Sequence, residues 1–181
     1  MRLFIAINFD EIKYYFVELQ KLLPNAKLSL ANAFHITLKF LGEVEPNKVE
    51  GIVNTLKKVK FDPFNVFLDS IGVFPTENYI RVVWIGINPE KKVMELQKIM
   101  DESLKGSFKK EKDFKAHITL ARVKYLESKK EFIEQLKNLK VESIKIEVKD
   151  FRLVKSTLTP KGPIYEDLAI FNLSTQHNKA I

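Results

Sequence analysis

The tetrapeptide His35-Ile36-Thr37-Leu38 occurs a second time, unchanged, as His117-Ile118-Thr119-Leu120. In each copy Ile and Leu alternate with His and Thr, which is the period of a β-strand with one apolar and one polar face. The apolar face can anchor each strand in a core, while the polar face presents an imidazole and a hydroxyl. The sequence therefore predicts two equivalent strands that carry the same polar pair.

The flanking sequence extends this repeat to both halves of the chain. Residues 2–7 (RLFIAI) are similar to residues 81–87 (RVVWIGI), and the long apolar stretch 64–74 matches 144–154. The offsets are 79 and 80 residues, against 82 for the two histidines. A nearly constant offset indicates a duplicated half.

Short runs rich in Ile, Val and Phe alternate with amphipathic stretches, which is typical of mixed α and β structure. Strands are predicted over residues 2–8, 34–41, 64–74, 79–87, 114–123, 144–155 and 164–172. Helices are predicted over about residues 10–23, 47–58, 90–104 and 128–139. We therefore predict an α+β fold with two pseudo-symmetric lobes, each a small, mostly antiparallel sheet backed by two helices, and a central groove between them.

The length of 181 residues fits one domain, so residues 1–181 are predicted to form a single bilobal domain. Lobe one is expected to comprise about residues 1–76 plus 164–172, and lobe two about residues 79–155. The last strand would then cross back onto the first sheet and tie the lobes together.

Composition excludes several classes of protein. The chain has no cysteine, which rules out disulfides, thiolate metal sites and cysteine nucleophiles. It has no apolar run long enough to span a bilayer, and Asn8 and Asp10 interrupt the apolar N-terminus before it could form a signal peptide. We expect a cytoplasmic protein with no membrane partner. The net charge of +7 favours anionic partners in a general way.

Other site chemistries find little support. The chain has no Gly-x-Ser-x-Gly, Gly-x-x-x-x-Gly-Lys or Gly-x-Gly-x-x-Gly motif, which excludes the corresponding hydrolases, P-loop enzymes and dehydrogenases. Asp113 lies near His117 but at a strand start, where aspartate is usually a turn residue. No metal and no other cofactor is predicted. The third histidine, His177, stands in a polar tail and is expected to be exposed and inert.

A single His-x-Thr would carry little information, because a strand histidine often makes a local hydrogen bond and threonine favours β-structure. Two copies at equivalent places in a repeat are different, since core packing requires Ile and Leu there but not His and Thr. The pattern predicts that His35 and His117 face each other across a groove as an acid/base pair.

These residues resemble the RNA 2′,3′-cyclic phosphodiesterase family, also called the 2′-5′ RNA ligase family, of the two-histidine phosphoesterase superfamily. The doubled His-x-Thr is the most specific element. The resemblance covers about residues 1–173, and the stretches that carry it lie at residues 1–7, 35–44, 117–122, 153–156 and 162–166.

The resemblance implies hydrolysis of an RNA 2′,3′-cyclic phosphate to a 2′-phosphate, with 2′-5′ ligation as the reverse reaction. It assigns His35 as the proton donor to the leaving oxygen and His117 as the proton acceptor from water. The partners are RNA ends or nucleotides bearing a cyclic phosphate. The protein is expected to act as a monomer without a metal.

Three further residues would contact the phosphate. Thr37 and Thr119 would donate hydrogen bonds to its non-bridging oxygens. Arg122, five residues after His117 as in the family motif, would supply positive charge. Strict alternation sends Arg122 to the face opposite His117, so this assignment requires a bulge or a twist near the end of the strand.

Two less certain contacts complete the predicted site. Lys39 is in phase with Thr37 under strict alternation, and is interpreted either as a substrate contact or as an exposed strand lysine. Tyr165 is interpreted either as a ring that stacks on a base or as a core aromatic.

Two alternatives to this hydrolase stay open from sequence alone. The groove could bind RNA ends or nucleotides without turnover, or the two histidines could act on another cyclic or 2′-5′ linked nucleotide. The motif specifies phosphodiester chemistry, whereas substrate choice depends on loops and groove shape.

Overall fold

The structure, a computed structural model, describes residues 1–160 and 162–174, and His177 lies outside this part of the chain. The described residues form nine strands: β1 (Arg2–Asn8), β2 (Lys27–Leu30), β3 (His35–Glu43), β4 (Phe64–Thr76), β5 (Tyr79–Asn88), β6 (Ile118–Tyr125), β7 (Lys145–Val148), β8 (Asp150–Thr159) and β9 (Gly162–Asn172). The helices are α1 (Lys13–Lys21), α2 (Val49–Leu56), α3 (Lys91–Ser103) and α4 (Lys129–Lys137). Short 3-10 turns, Asp10–Ile12 and Pro46–Lys48, lead into α1 and α2.

The strands form two sheets, with the orders β3-β1-β8-β9 and β2-β6-β5-β4-β7. Every pairing between these strands is antiparallel. In the first sheet β1 lies between β3 and β8, and in the second β5 lies between β6 and β4. The predicted α+β class with two antiparallel sheets and four helices is confirmed.

The expected composition of the two lobes is wrong in one respect. Strand β4, assigned to lobe one, lies in the second sheet, and β8, most of which was assigned to lobe two, lies in the first. The reason for β4 is the two-residue connection at residues 77–78, which makes β4 and β5 a hairpin. The first half therefore passes β4, the strand after α2, to the second sheet, and the second half passes β8, which follows α4 and β7, to the first sheet.

Two strand predictions also change. The stretch 144–155 is not one strand, because the chain leaves the second sheet at the end of β7 and enters the first at β8. Lys149 lies at this transfer, and its carbonyl accepts a hydrogen bond from the Leu173 amide at 2.8 Å. The edge strand β2 was not predicted, since its sequence Lys-Leu-Ser-Leu is short and mostly exposed.

One connected hydrophobic cluster draws on both sheets and on the inner faces of the helices. In β3, Ile36 and Leu38 are 0% and 1% exposed, so the apolar side of the motif faces this core as predicted. Burying one such side chain contributes about 1.5–3 kcal/mol, which holds the strand in a single orientation. Its other face is left for the histidine and the threonine.

The first helix of each half lies against the motif strand of the other half. Helix α1 contacts β6, and α3 contacts β3. In α1, Phe16 stacks on Phe34 with ring centroids 4.6 Å apart, directly before the first motif. No helix of the described chain is long and apolar enough to cross a membrane.

Candidate active site

A β-bulge interrupts β3 inside the first motif. Thr37 pairs with Ala6 and Lys39 pairs with the adjacent Ile5, which leaves Leu38 as an extra residue. An extra residue shifts the alternation of everything after it. Leu38 and Lys39 are therefore both buried, and Phe40 takes the groove side with 61% of its surface exposed.

The same bulge occurs in β6. Thr119 pairs with Trp84 and Ala121 pairs with the adjacent Val83, so Leu120 is the extra residue. Leu120 and Ala121 are both fully buried, and Arg122 after them is exposed. The bulge that the sequence required for Arg122 is present.

A cavity of about 400 Å³ lies between the two motif strands. It is lined by most of the predicted site residues, namely His35, Thr37, His117, Thr119, Arg122 and Tyr165. Residues from both halves of the repeat therefore meet in one place.

Lys39 is not part of this cavity, which corrects its interpretation as a substrate contact or an exposed lysine. Its side chain is 1% exposed, and its ammonium donates to the Asp101 carboxylate at 2.5 Å and to the Lys109 carbonyl at 2.7 Å. The bulge at Leu38 is the cause, because it turns Lys39 to the core side.

The imidazole of His35 lies in an apolar setting. Its ring centroid is 5.1 Å from that of Phe4 and 5.2 Å from that of Tyr165, which meets it edge-on. Burial lowers the pKa of His35 to about 4, while the nearby Asp10 carboxylate opposes this shift and His117 adds to it. His35 is therefore neutral near pH 7 when the cavity is empty.

The imidazole of His117 is held by its own backbone. Its Nδ1 lies 2.7 Å from the Lys115 carbonyl oxygen, and only a protonated Nδ1 can donate to that acceptor. The neutral ring therefore keeps its lone pair on Nε2. The Phe74 ring meets the imidazole edge-on at 4.8 Å. Burial lowers the pKa of His117, the Lys115 hydrogen bond opposes the shift, and the positive charge of Arg122 adds to it.

Tyr165 brings the first sheet close to the cations of the site. Burial raises the pKa of its hydroxyl, whereas Arg122 and Arg2 act in the opposite direction. The ring also packs edge-on against Phe4 at 5.5 Å. Tyr165 is therefore a half-buried wall of the cavity with its hydroxyl near two guanidinium groups.

Sequence reasoning missed three residues of this site. Arg2 and Phe40 line the cavity, and Asp10 lies near His35. Alignment of the two repeats would have found Phe40, because it stands five residues after His35 as Arg122 does after His117. No sequence signal marks Asp10, which approaches His35 through the pairing of β1 with β3.

A second cavity of about 380 Å³ continues from the first past His35. It shares Phe4, His35, Pro163 and Tyr165 with the main cavity and is also lined by the Arg152 side chain. The Arg152 guanidinium donates to Asp167 at 2.7 Å and to Asp150 at 3.1 Å. Together the two spaces offer room for more than a phosphate.

Among residues 1–160 and 162–174, no three or more His, Asp or Glu side chains come together in a group that could hold a metal ion.

Two facing antiparallel sheets with one His-x-Thr strand each define a bilobal class of α+β protein, and known structures share this architecture. A crystal structure of a protein from Thermus thermophilus matches with a TM-score of 0.79 at 28% identity, over 98% of this chain and 100% of that one. E. coli LigT complexed with 3′-AMP has the same fold, with a TM-score of 0.74 at 23% identity over 96% of this chain and 98% of that one.

The chain belongs to the LigT like phosphoesterase family, whose profile matches it twice, over residues 9–84 and 85–165. Each of the two matches contains one of the two His-x-Thr motifs. An RNA 2′,3′-cyclic phosphodiesterase of Archaeoglobus fulgidus is 40% identical over 94% of this chain and 99% of the relative. The protein of the same name from Methanocaldococcus jannaschii is 41% identical over 92% and 97%. The resemblance stated from the sequence is confirmed.

Proposed function

We propose that this protein hydrolyses 2′,3′-cyclic phosphate ends of RNA to 2′-phosphates, with His35 as proton donor and His117 as proton acceptor, without a metal ion. The observation that carries the proposal is the pair of imidazoles that line one cavity, one at the start of β3 and one directly before β6, two strands with equivalent bulges. Relatives about 40% identical over nearly the whole chain bear the name RNA 2′,3′-cyclic phosphodiesterase.

The hydrogen bond of His117 supports its role as the base. With Nδ1–H held by the Lys115 carbonyl, the Nε2 lone pair is free to take a proton from water. The water oxygen forms the new bond to phosphorus, and the bond from phosphorus to the 3′-oxygen breaks. The product keeps the phosphate on the 2′-oxygen.

His35 then protonates the departing 3′-oxygen, for which it must be an imidazolium. A pKa of about 4 keeps it neutral in the empty cavity at pH 7. The cyclic phosphate carries a negative charge, and an anion against the ring favours the protonated form. Asp10 acts in the same direction. Substrate binding therefore favours the protonated, positively charged form of His35, which is the form that can donate a proton.

The phosphate group would be held by Thr37 and Thr119 on opposite walls and by the Arg122 guanidinium. These donors are fixed by the two strands before substrate arrives, and preorganised donors stabilise charge that develops in the transition state. Arg2 adds a second cation beside Tyr165.

The rest of the nucleotide would use the aromatic walls of the cavity. Phe40 exposes most of its ring, and aromatic rings stack on bases with little sequence preference. The complex of E. coli LigT with 3′-AMP supports a nucleotide in this fold. Ligation of 2′-5′ linkages by reversal of the same steps, a cytoplasmic location and a monomeric state belong to the proposal as well.

The test uses an oligoribonucleotide with a 2′,3′-cyclic phosphate end, in EDTA, with wild type and the variants His35→Ala and His117→Ala. We expect conversion to the 2′-phosphate by wild type and a loss of about 10²–10⁴-fold in each variant. The same oligonucleotide with a 3′-phosphate end is the control and should stay unchanged.

Three outcomes would overturn parts of this proposal. Loss of turnover in EDTA would show a metal-dependent reaction. Full activity in both variants would remove the histidines from the mechanism. Binding of the RNA by wild type without turnover would make the protein a binding module.

A further inference from the structure

The buried polar side chains of the described chain are four: Gln20, Lys39, Gln97 and Asp101, each 7% exposed or less. None of the four lines the cavity that holds the histidines. Their hydrogen bonds gather at the two bulges, one inside each motif strand. Burying a polar group costs folding free energy unless the group is fully hydrogen-bonded, so the placement of these four at the two bulges requires a physical reason.

The first group lies at the bulge of β3. Lys39, beside the extra residue Leu38, bonds the Asp101 carboxylate of α3 and the Lys109 carbonyl. Asp101 also accepts from the Gln97 amide at 2.7 Å and from the Glu111 backbone N–H at 3.2 Å. Residues 109–116 form the lead-in segment to His117. Strand β3, which carries the first histidine, is thus hydrogen-bonded through Lys39 to the lead-in segment of the second histidine.

The second group lies at the bulge of β6 and mirrors the first. The Gln20 amide of α1 donates to the carbonyl of Leu120, the extra residue, at 2.8 Å, and to the Ala31 carbonyl at 2.8 Å. The Ala31 N–H donates to the same Leu120 carbonyl at 2.9 Å. Residues 31–34 form the lead-in segment to His35. Strand β6, which directly follows the second histidine, is thus hydrogen-bonded to the lead-in segment of the first.

We propose that these two groups are reciprocal clamps that set the position of His35 relative to His117, with Gln20, Lys39 and Asp101 as positioning residues. This inference rests on the proposed two-histidine reaction. Each clamp joins the first helix of one half, the motif strand of the other half and a histidine lead-in. A shift of either helix would therefore move one histidine against the opposite strand.

A purely stabilising role predicts a different response to mutation. Replacing a buried ion pair with apolar side chains of similar size often leaves stability unchanged or higher. Such a change at Lys39 would still release the Lys109 carbonyl, whose residue is exposed and can turn to water. Stability and positioning are therefore separable by experiment.

The test compares two clamp variants, the triple variant Lys39→Met, Gln97→Leu, Asp101→Leu and the single variant Gln20→Met. The matched control is Val148→Ala in β7, a buried truncation outside both clamps and the cavity. Melting temperature, kcat and KM are measured on the cyclic-phosphate oligonucleotide. We expect kcat to fall about 10- to 100-fold in both clamp variants with KM changed less than about threefold, since small misplacements reduce catalysis by such factors.

The control should lose melting temperature and keep its kcat below the unfolding transition. Clamp variants whose kcat equals that of Val148→Ala would overturn the inference. If the triple variant fails to fold, Gln20→Met carries the test alone, because it removes no charge.

A second readout separates this inference from the proposed function. NMR titration of the two imidazoles in each variant follows their surroundings without any turnover. If wild type lacks activity, the proposed function fails. In that case the clamp inference is judged by NMR alone, and it fails if the imidazole shifts and titration midpoints of the clamp variants match those of the control.

Discussion

Phe40 and Arg122 occupy equivalent positions in the two halves: each lies five residues after its motif histidine, and a bulge turns each into the same cavity. One side chain is an exposed aromatic ring and the other a guanidinium. The two halves thus share their backbone and their His-x-Thr pairs, but they differ in the side chain five residues after the histidine. We infer that the phosphate of a bound nucleotide lies nearer the second sheet, beside Arg122, and that its nucleobase lies nearer the first sheet, beside Phe40.

Replacing Arg122 with Gln removes the planar cation while keeping much of the side-chain length. We expect kcat/KM for the cyclic-phosphate oligonucleotide to fall about 10²–10³-fold, mostly in kcat, because charge at the phosphorus centre loses a preorganised partner. Steady-state kinetics measure the loss. The control Lys124→Gln changes an exposed cation on the same strand and should stay within about threefold of wild type. Equal effects of the two changes would contradict the role of Arg122.

Replacing Phe40 with Leu should act on binding instead. Loss of a stacking ring costs about 1–3 kcal/mol per base, so KM should rise by a factor of about 5 to 150 with kcat nearly unchanged. Kinetics with an oligonucleotide and with a cyclic mononucleotide test this. An unchanged KM for both substrates would show that Phe40 does not contact the base.

The depressed pKa of His35 links stability to pH. Between pH 6.5 and about 4 the unfolded chain binds a proton at this histidine and the folded chain does not. The stability that buried neutral His35 contributes is therefore complete above 6.5 and is lost as pH falls towards 4. The span of 2.5 pH units corresponds to about 3 kcal/mol.

Urea unfolding of wild type and His35→Asn at several pH values checks this linkage. The free energy of unfolding of wild type should decline more steeply between pH 6.5 and 4 than that of the variant, by about 3 kcal/mol in total. Parallel curves would mean that His35 titrates normally in the folded protein.

The pH dependence of kcat/KM and of kcat should also reflect the burial of the two histidines. Both imidazoles have pKa values below the ordinary 6.5 in the empty cavity, so the bell for kcat/KM should be centred below pH 6.5. The bell for kcat should lie at higher pH, because the bound anion favours both protonated rings. The apparent values belong to the pair and not to either histidine. Coincident bells centred above neutrality would contradict this prediction.

Removing one partner of the buried ion pair of Lys39 and Asp101 should cost more stability than breaking an exposed ion pair. Burial acts to raise the pKa of the Asp101 carboxyl, but hydrogen bonds from Lys39, Gln97 and the Glu111 N–H hold it below its ordinary 3.8. Its contribution is therefore present above pH 3.8 and is lost as pH falls through the lower, folded value.

We expect Asp101→Asn to lower the free energy of unfolding by about 3–5 kcal/mol at pH 7, because it leaves the Lys39 ammonium buried without a counter-charge. The difference from wild type should shrink below pH 3.8. The control Glu18→Gln breaks the exposed pair with Lys21, 2.6 Å long, and should change stability by less than about 1 kcal/mol. Similar losses in the two variants would contradict the special role of the buried pair.

The sequence by itself determined the class of fold and pointed to the two histidines of the candidate site. Apolar alternation located β1, β4, β5 and β9 within a few residues, and the repeated His-x-Thr identified His35 and His117 as a pair. These features are local, because a strand's period and a motif's composition can be read from the residues themselves. The bulge near Arg122 could also be predicted from the sequence, because strict strand alternation would place Arg122 on the face opposite His117.

Only the tertiary structure decided which sheet receives β4 and β8, which way Lys39 points and how strongly His35 is desolvated. Each of these depends on contacts between residues far apart in the chain. Lys39 turns inward because β3 pairs with β1 through a bulge and α3 supplies Asp101 on that side. Strand pairing and burial are properties of the assembled chain, and a one-residue change in register reverses the face of every side chain that follows.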